Sequence, residues 1–442
     1  LTSGLVLSTT FIAAEALAVI TIMPRVARDL GGLSLYGWVF SSFMLGSLLG
    51  TVGAGRQVDA AGPVRPFLAG ITLFVAGLTI AGLAPSMAVL VLGRVVQGLG
   101  AGAVPAVSYV VIGRSLPEEL RPRMMAVLST AWVVPGLIGP GLSAAVAGLL
   151  GWRWVFLGLI PLVVAAGSIA LPSLRRLGGP VGASSPRHRP LDAVCVVVGS
   201  ALLLGGVASR SWAVALVLVL GGLALAVPAL SRLLPTGTLT ARRGLPAVML
   251  ARGLLTFSFF GGDAFVTLTI TNPLHHSIAV AGLAVTTATL AWTAGSWVQV
   301  HTARRWQNST QLRCGVVLLL AGIVGMVLAL RSGVGVGVAV ASWTVAGLGM
   351  GLAYAPTSLM MLREAPEGRE GWAAASLNLS DVLGTALGTG LAGAALVVGA
   401  HQGLSTREAL TGAFAVAGAG AVLALLVSAR LPRRLSGLAS IL

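Results

Sequence analysis

The chain reads as long apolar stretches separated by short breaks in which Pro, Gly and arginine gather. A helix needs about 20 mostly apolar residues to cross a bilayer. Fourteen stretches qualify, at 4–24, 36–56, 67–85, 87–113, 123–149, 152–174, 191–209, 212–233, 246–270, 277–300, 312–331, 334–361, 372–399 and 407–430. Alternate breaks hold most of the cations: Arg56 and Arg65; Arg114, Arg121 and Arg123; Arg175, Arg176, Arg187 and Arg189; Arg242 and Arg243; Arg304 and Arg305; Arg430, Arg433 and Arg434. Cytoplasmic loops carry such an excess, which predicts both termini on the cytoplasmic side. Arg25, Arg28, Arg153, Arg210, Arg331 and Arg407 are the exceptions, on the outer side.

Composition agrees with this reading. Only 9% of the 442 residues are charged and mean hydropathy is +0.96, whereas soluble proteins carry roughly 25% charge. The formal charge of +16 comes from 28 cations, all arginine, and suggests a GC-rich genome. Because these arginines sit in loops between spans, they speak for membrane orientation and against nucleic-acid binding. Cys195 and Cys314 lie in unrelated apolar runs, without metal or redox spacing. No cleavable signal peptide is expected, since the first apolar run continues in the pattern of the later ones. The longest polar connection, RRLGGPVGASSPRHRP at 175–190, divides six spans from eight.

The chain repeats itself at one offset. VQGLGAG at 96–102 returns as VAGLGMG 249 residues later, as do RSLPE at 114–118 as REAPE and the segment from Gly139 as that from Gly388. FIAAEA at 11–16 matches FFGGDA at 259–264, which pairs Glu15 with Asp263. The expected organisation is an N-terminal six-helix bundle over 1–174, a cytoplasmic linker over 175–190, two inserted transmembrane helices and a following loop over 191–245, and a C-terminal six-helix bundle over 246–442. Parallel repeats of this kind place a substrate site between the halves near the bilayer midplane. Small-xxx-small pairs such as Gly98 with Gly102, and Gly347 with Gly351, let helix backbones approach closely.

Four motifs resemble the major facilitator superfamily, specifically its fourteen-helix drug:proton antiporter branch, over essentially the whole chain. AEALAVITIMP resembles the first-helix motif of that branch, with Glu15 in place of an Asp. GRQVDAAGPVR resembles the motif between helices 2 and 3 and keeps Gly55, Asp59, Gly62 and Arg65; RVVQGLGAG, from Arg94, resembles the helix 4 motif. PGLIGPGLSAA, with Gly139 and Pro140, resembles the antiporter motif of helix 5. The resemblance implies an all-α integral membrane protein of the major facilitator fold, and export rather than import.

Ionisable groups inside a membrane are costly and mark function. Glu15 lies about 13 Å from Pro24, and Arg94 about 13 Å from Pro85 at 1.5 Å per residue, so the two are expected to face one another, with Glu15 as the proton carrier. Asp263 and Asp381 are further candidates for proton coupling, Asp263 also as counter-charge to a cationic substrate. The rival reading of Glu15 and Arg94 is a static ion pair, and that of both aspartates an ordinary polar contact. Gln97, Trp132, Phe260, Trp292, Tyr354 and Asn378 are candidate cavity residues. Asp59 is expected in a cytoplasmic loop, latching onto the N-terminus of span 13 through the helix dipole.

The expected function is proton-coupled efflux of amphipathic or cationic drug-like compounds by alternating access, in a bacterial inner membrane. A lipid exporter of the same fold is the alternative and a proton-coupled nutrient importer the third. Expected partners are the small amphipathic or lipid substrate, protons and membrane lipids, with a monomeric protein and no cofactor, metal or nucleic acid. An intramembrane aspartyl protease using Asp263 and Asp381 is disfavoured, because the repeat pairs Asp263 with Glu15. No phosphate-binding Gly-rich loop is present for ATP-driven transport.

Overall fold

A computed structural model describes residues 2–115, 131, 133–176, 190–303, 305–331, 334–366 and 369–432. Fourteen long helices account for most of these residues: α1 Thr2–Leu30, α2 Tyr36–Ala61, α3 Val64–Gly82, α4 Met87–Ser115, α5 Val133–Leu149, α6 Leu159–Arg176, α7 Pro190–Val207, α8 Trp212–Leu233, α9 Leu245–Thr271, α10 Ile278–Thr302, α11 Asn308–Ala329, α12 Val336–Glu364, α13 Glu370–His401 and α14 Thr406–Ser428. A short turn of helix, Arg153–Leu157, leads into α6. Thirteen helices are long and apolar enough to span a membrane, and the described part of α5 is a shorter apolar helix. The chain is a multi-pass membrane protein. Face A denotes the side carrying the α1–α2 connection and face B the opposite side.

Two boundaries differ from expectation. Span 1 was expected to stop at Pro24, but α1 continues to Leu30 with Pro24 inside it. Proline removes the hydrogen bond to the carbonyl four residues back; Thr267 of α9 donates to that carbonyl, Ile20 O, at 2.7 Å. A neighbouring helix thus satisfies the group that would otherwise break the span. Asp59, expected in a loop, falls in the last turn of α2, which runs to Ala61. The stop is Gly62, at φ 80° and ψ 177°, a region open only to glycine.

The repeat is legible in the packing. A Cβ at Gly98 or Gly102 of α4 would overlap the carbonyl oxygens of Phe43 and Ser47 on α2. One at Gly347 or Gly351 of α12 would overlap those of Ala288 and Trp292 on α10. Each half therefore presses the same small-residue stripe onto the same partner backbone, where dispersion contacts replace the hydrophobic drive that lipid does not supply.

Contacts between the halves lie toward face A. Gly37 on α2 meets Gly393 on α13, Ser41 donates to Ala386 O at 2.8 Å, and Gly282 on α10 sits against Pro140 on α5. Near face B, Gly53, Arg56 and Gln57 of α2 and Ala374, Ala375 and Asn378 of α13 are exposed. Among the described residues, the halves meet on face A and part toward face B.

Three arginines that broke the charge rule have a local role. Arg25 donates to Ala147 O at 2.6 Å, Arg153 to Ala84 O at 3.1 Å and Arg407 to Pro273 O at 3.2 Å. Each accepting carbonyl lies at or just past the C-terminal end of a helix on face A, where unpaired carbonyls and the helix dipole attract a cation.

Candidate functional site

Glu15 and Arg94 meet in the interior of the N-terminal half, as their matched depths predict. Arg94 Nη1 donates to Glu15 Oε1 and, at 2.8 Å, to Gln97 Oε1 one helical turn along α4. Arg94 Nε donates to Val39 O of α2 at 3.1 Å, and the guanidinium lies 4.1 Å from the centre of the Phe43 ring. Both partners are buried: Glu15 is 0% and Arg94 2% exposed. An ion pair out of water holds together only if its remaining donors and acceptors are satisfied. Here the arginine bonds three acceptors through Nε and Nη1, whereas Glu15 Oε2 accepts no hydrogen bond from the described residues. The carboxylate is the under-satisfied member, with one oxygen free to take a proton.

The equivalent place in the C-terminal half has different chemistry. Asp263 on α9 corresponds by the repeat to Glu15, and Trp343 on α12 to Arg94 at the offset of 249. Trp343 Nε1 donates to Asp263 Oδ1 at 2.7 Å. The acid survives in both halves and so does the donor position, but a neutral indole replaces the guanidinium. Trp343 opens an aromatic cluster: Phe259 stacks on it at 5.4 Å and meets Trp292 edge-on at 5.2 Å. Trp292 continues to Phe260 at 6.2 Å and Tyr354 at 5.4 Å. Three expected cavity residues, Phe260, Trp292 and Tyr354, are thereby brought together on α9, α10 and α12. Gln97 instead belongs to the arginine site, and Asn378 is exposed near face B. Trp132 lies outside the described residues.

Asp381 belongs to a third group, built on a residue that sequence reasoning missed. Arg252, 3% exposed on α9, grips Asp381 through both oxygens, Nε to Oδ1 at 2.6 Å and Nη2 to Oδ2 at 2.8 Å. Its Nη1 donates to Tyr354 O and Thr357 Oγ1, each at 2.8 Å, and its guanidinium lies 3.1 Å from the centre of the Tyr354 ring. Tyr354 Oη closes the group by donating to Asp381 Oδ2 at 2.8 Å. This bidentate, ring-stacked geometry suits arginine and would be lost with lysine. The available signal was an arginine inside a predicted span, which is itself a functional flag.

The remaining expected residues are spread out. Gly55 and Asp59 lie near the end of α2, Gly62 beyond it, and Arg65 is exposed at the start of α3; the Asp59 side chain lies outside the described residues. Pro140 is at the α5–α10 contact between the halves, whereas a Cβ at Gly139 would meet open space.

The Major Facilitator Superfamily family model matches residues 5–389. A Mycobacterium tuberculosis protein described as a probable multidrug-efflux transporter is 27% identical over 439 residues, covering 94% of this chain and 91% of that protein. Among solved structures, a bacterial homologue of the human lysosomal transporter Spinster, inward-facing and unoccupied, aligns with TM-score 0.66 at 14% identity, over 97% of this chain and 94% of that one. The Escherichia coli xylose transporter XylE, partially occluded and inward-open, aligns with TM-score 0.64 at 14% identity, over 96% and 95% of the two chains. Both likenesses concern the fold. A family of transporters rather than enzymes matches most of the chain, in a structure whose two halves repeat the same glycine packing and each place a buried acid on their first helix: the chain belongs to the Major Facilitator Superfamily.

Proposed function

We propose that the protein exports amphipathic or cationic drug-like compounds in exchange for protons, with Glu15 as the proton carrier. The observation that carries the reading is the buried Glu15–Arg94 pair, in which the arginine bonds Glu15, Gln97 and Val39 through Nε and Nη1 while one carboxylate oxygen accepts no hydrogen bond from the described residues. Asp263 and Asp381 are the further acids of the pathway. The efflux character draws on the relatives named as a probable multidrug-efflux transporter and a multidrug transporter protein. The aromatic cluster around Trp292 offers the broad apolar wall that such compounds favour.

In this reading face B is cytoplasmic, as the arginine-rich loops require, both termini are inside, and the membrane is a bacterial inner membrane. Substrate binds from face B as Glu15 gives up its proton; the halves then rock, and an incoming proton returns to Glu15 as substrate leaves. Each inward proton supplies about 2.3 kcal/mol for roughly every 100 mV of membrane potential. Asp59, Gly55, Gly62 and Arg65 form the latch that favours the closed state of face B. Gly139 and Pro140 act at the α5–α10 seam.

Proteoliposomes test this directly. Proton flux is followed while cationic dyes or lipids are added, with the wild type beside Glu15→Gln. Dye-driven flux that disappears in the variant is the expected result. Unchanged coupling in the variant would move the proton site to Asp263 or Asp381, and lipid movement without a dye response would overturn the cargo.

A further inference from the structure

Burial divides the aromatic cluster into a wall and its backing. Phe259 and Trp343 are buried, whereas Phe260, Trp292 and Tyr354 are half-buried. Phe260 lies two turns from Thr267 on α9, on the helix face that meets Ile20 of the other half. Trp292 lies one turn from Thr289 on α10, whose methyl a Cβ at Gly136 of α5 would overlap. Both rings sit on the face-B side of these contacts, where the halves part. The half-buried rings therefore line the space between the halves.

One member of this wall is held at every end. Arg252 Nη1 donates to the Tyr354 carbonyl at 2.8 Å, and its guanidinium lies against the ring face. The hydroxyl at the other end donates to Asp381 Oδ2, which Arg252 Nη2 also grips. Backbone, ring face and tip are all tied, so the two side-chain torsions of Tyr354 are fixed. Trp292 is tilted by 59° to that ring at 5.4 Å, and Phe260 by 50° to Trp292 at 6.2 Å. A run of tilted rings accepts a further aromatic ring and gives an aliphatic group no comparable contact. In this state the Asp381 carboxylate offsets the guanidinium, so the group sets a shape rather than a net charge. The repeat gives it no counterpart. The offset that pairs Glu15 with Asp263 sets Arg252 against Gly4, where a Cβ would overlap Ala170, and the offset of 249 sets Tyr354 against Pro105. The group is therefore not part of the repeated scaffold.

We propose that Arg252 is a positioning residue for the cargo: by fixing Tyr354 it aligns the wall to take flat aromatic cations in preference to aliphatic ones of equal charge. Arg252 is 3% exposed and acts through Tyr354 rather than on the cargo itself. The inference rests on the drug-export reading for its cargo class, but not on Glu15 or on exchange with protons.

Equilibrium binding in detergent tests it, with ethidium as the flat aromatic cation and tetrapropylammonium as the aliphatic one. Arg252→Lys keeps the charge but loses the fork and the ring stacking. It is expected to weaken ethidium binding by roughly three- to tenfold, the worth of one aromatic contact, and to leave tetrapropylammonium nearly unchanged. Tyr354→Phe keeps the ring against the guanidinium and loses only the tie to Asp381, so it should shift the selectivity the same way by less. It decides the matter alone if Arg252→Lys does not fold. Equal losses for the two cations would make Arg252 merely structural and overturn the proposal. So would an ethidium affinity unchanged in either folded variant, or a wild type that does not prefer ethidium. No gradient enters these measurements, so selective ethidium binding without ethidium-driven proton flux would overturn the antiport reading and spare this one.

Discussion

The two halves place an acid at the same point of the same helix and answer it differently. Glu15 faces a guanidinium on α4, and Asp263 faces an indole on α12. The scaffold around them is shared: the same glycine stripes press on the same partner backbones. What distinguishes the sites is charge. Arg94 makes the N-terminal pair an ion pair, so a proton on Glu15 leaves a buried guanidinium without its counter-charge. Trp343 donates one neutral hydrogen bond, so no charged partner depends on the charge of Asp263. Pseudo-symmetry fixes the positions, and a single donor residue decides whether a position couples to charge.

The largest effect that could break this comparison is removal of the cation. Arg94→Ala leaves Glu15 as a lone buried acid and should cost about 3–5 kcal/mol, the loss seen when one partner of a buried pair is deleted. Thermal unfolding in detergent would show it. Adding Glu15→Gln in the same chain should recover part of that stability without recovering proton-coupled transport. Full recovery of transport would remove Glu15 from the mechanism.

The C-terminal counterpart is milder. Trp343→Phe keeps an aromatic ring against Phe259 but removes the donor to Asp263, and should cost about 1–3 kcal/mol for an acceptor left unsatisfied. The same unfolding assay ranks the two variants. A loss as large as that of Arg94→Ala would mean that the indole site carries a charge after all. The packing control is Gly98→Ala beside Gly347→Ala. Each drives a methyl into a carbonyl of the neighbouring helix, so both should destabilise, by about 1–3 kcal/mol for overpacking, and by similar amounts. A large difference between them would limit the pseudo-symmetry to the sequence.

The parts legible in the sequence were those with a period or a ruler. Helix count follows from apolar length, the two halves from a fixed offset, and the Glu15–Arg94 meeting from equal distances to two prolines. Arg252 was hidden because it lies a few residues inside a span next to the loop arginines Arg242 and Arg243, where it passes for another orientation signal. Trp343 was hidden for a different reason: the repeat points to position 343, but an indole among many membrane aromatics carries no mark of its hydrogen bond. Pro24 misled because a rule for isolated helices was applied to one with neighbours.

The smallest effect is the most specific. Pro24 frees the Ile20 carbonyl, and Thr267 of the opposite half fills it at 2.7 Å. Thr267→Val should therefore weaken closure of face A by about 0.5–1.5 kcal/mol, the net worth of one hydrogen bond. That shifts the two-state population a few-fold toward opening, readable as the spin-label distance between positions 28 and 275. Pro24→Ala restores a backbone N–H that can bond Ile20 O within α1. In that background the threonine hydroxyl has nothing to satisfy, so Thr267→Val should move the distance little, and the two substitutions should be non-additive as contacting residues are. Additive shifts would mean that the hydroxyl closes face A through some contact other than the carbonyl that the proline exposes.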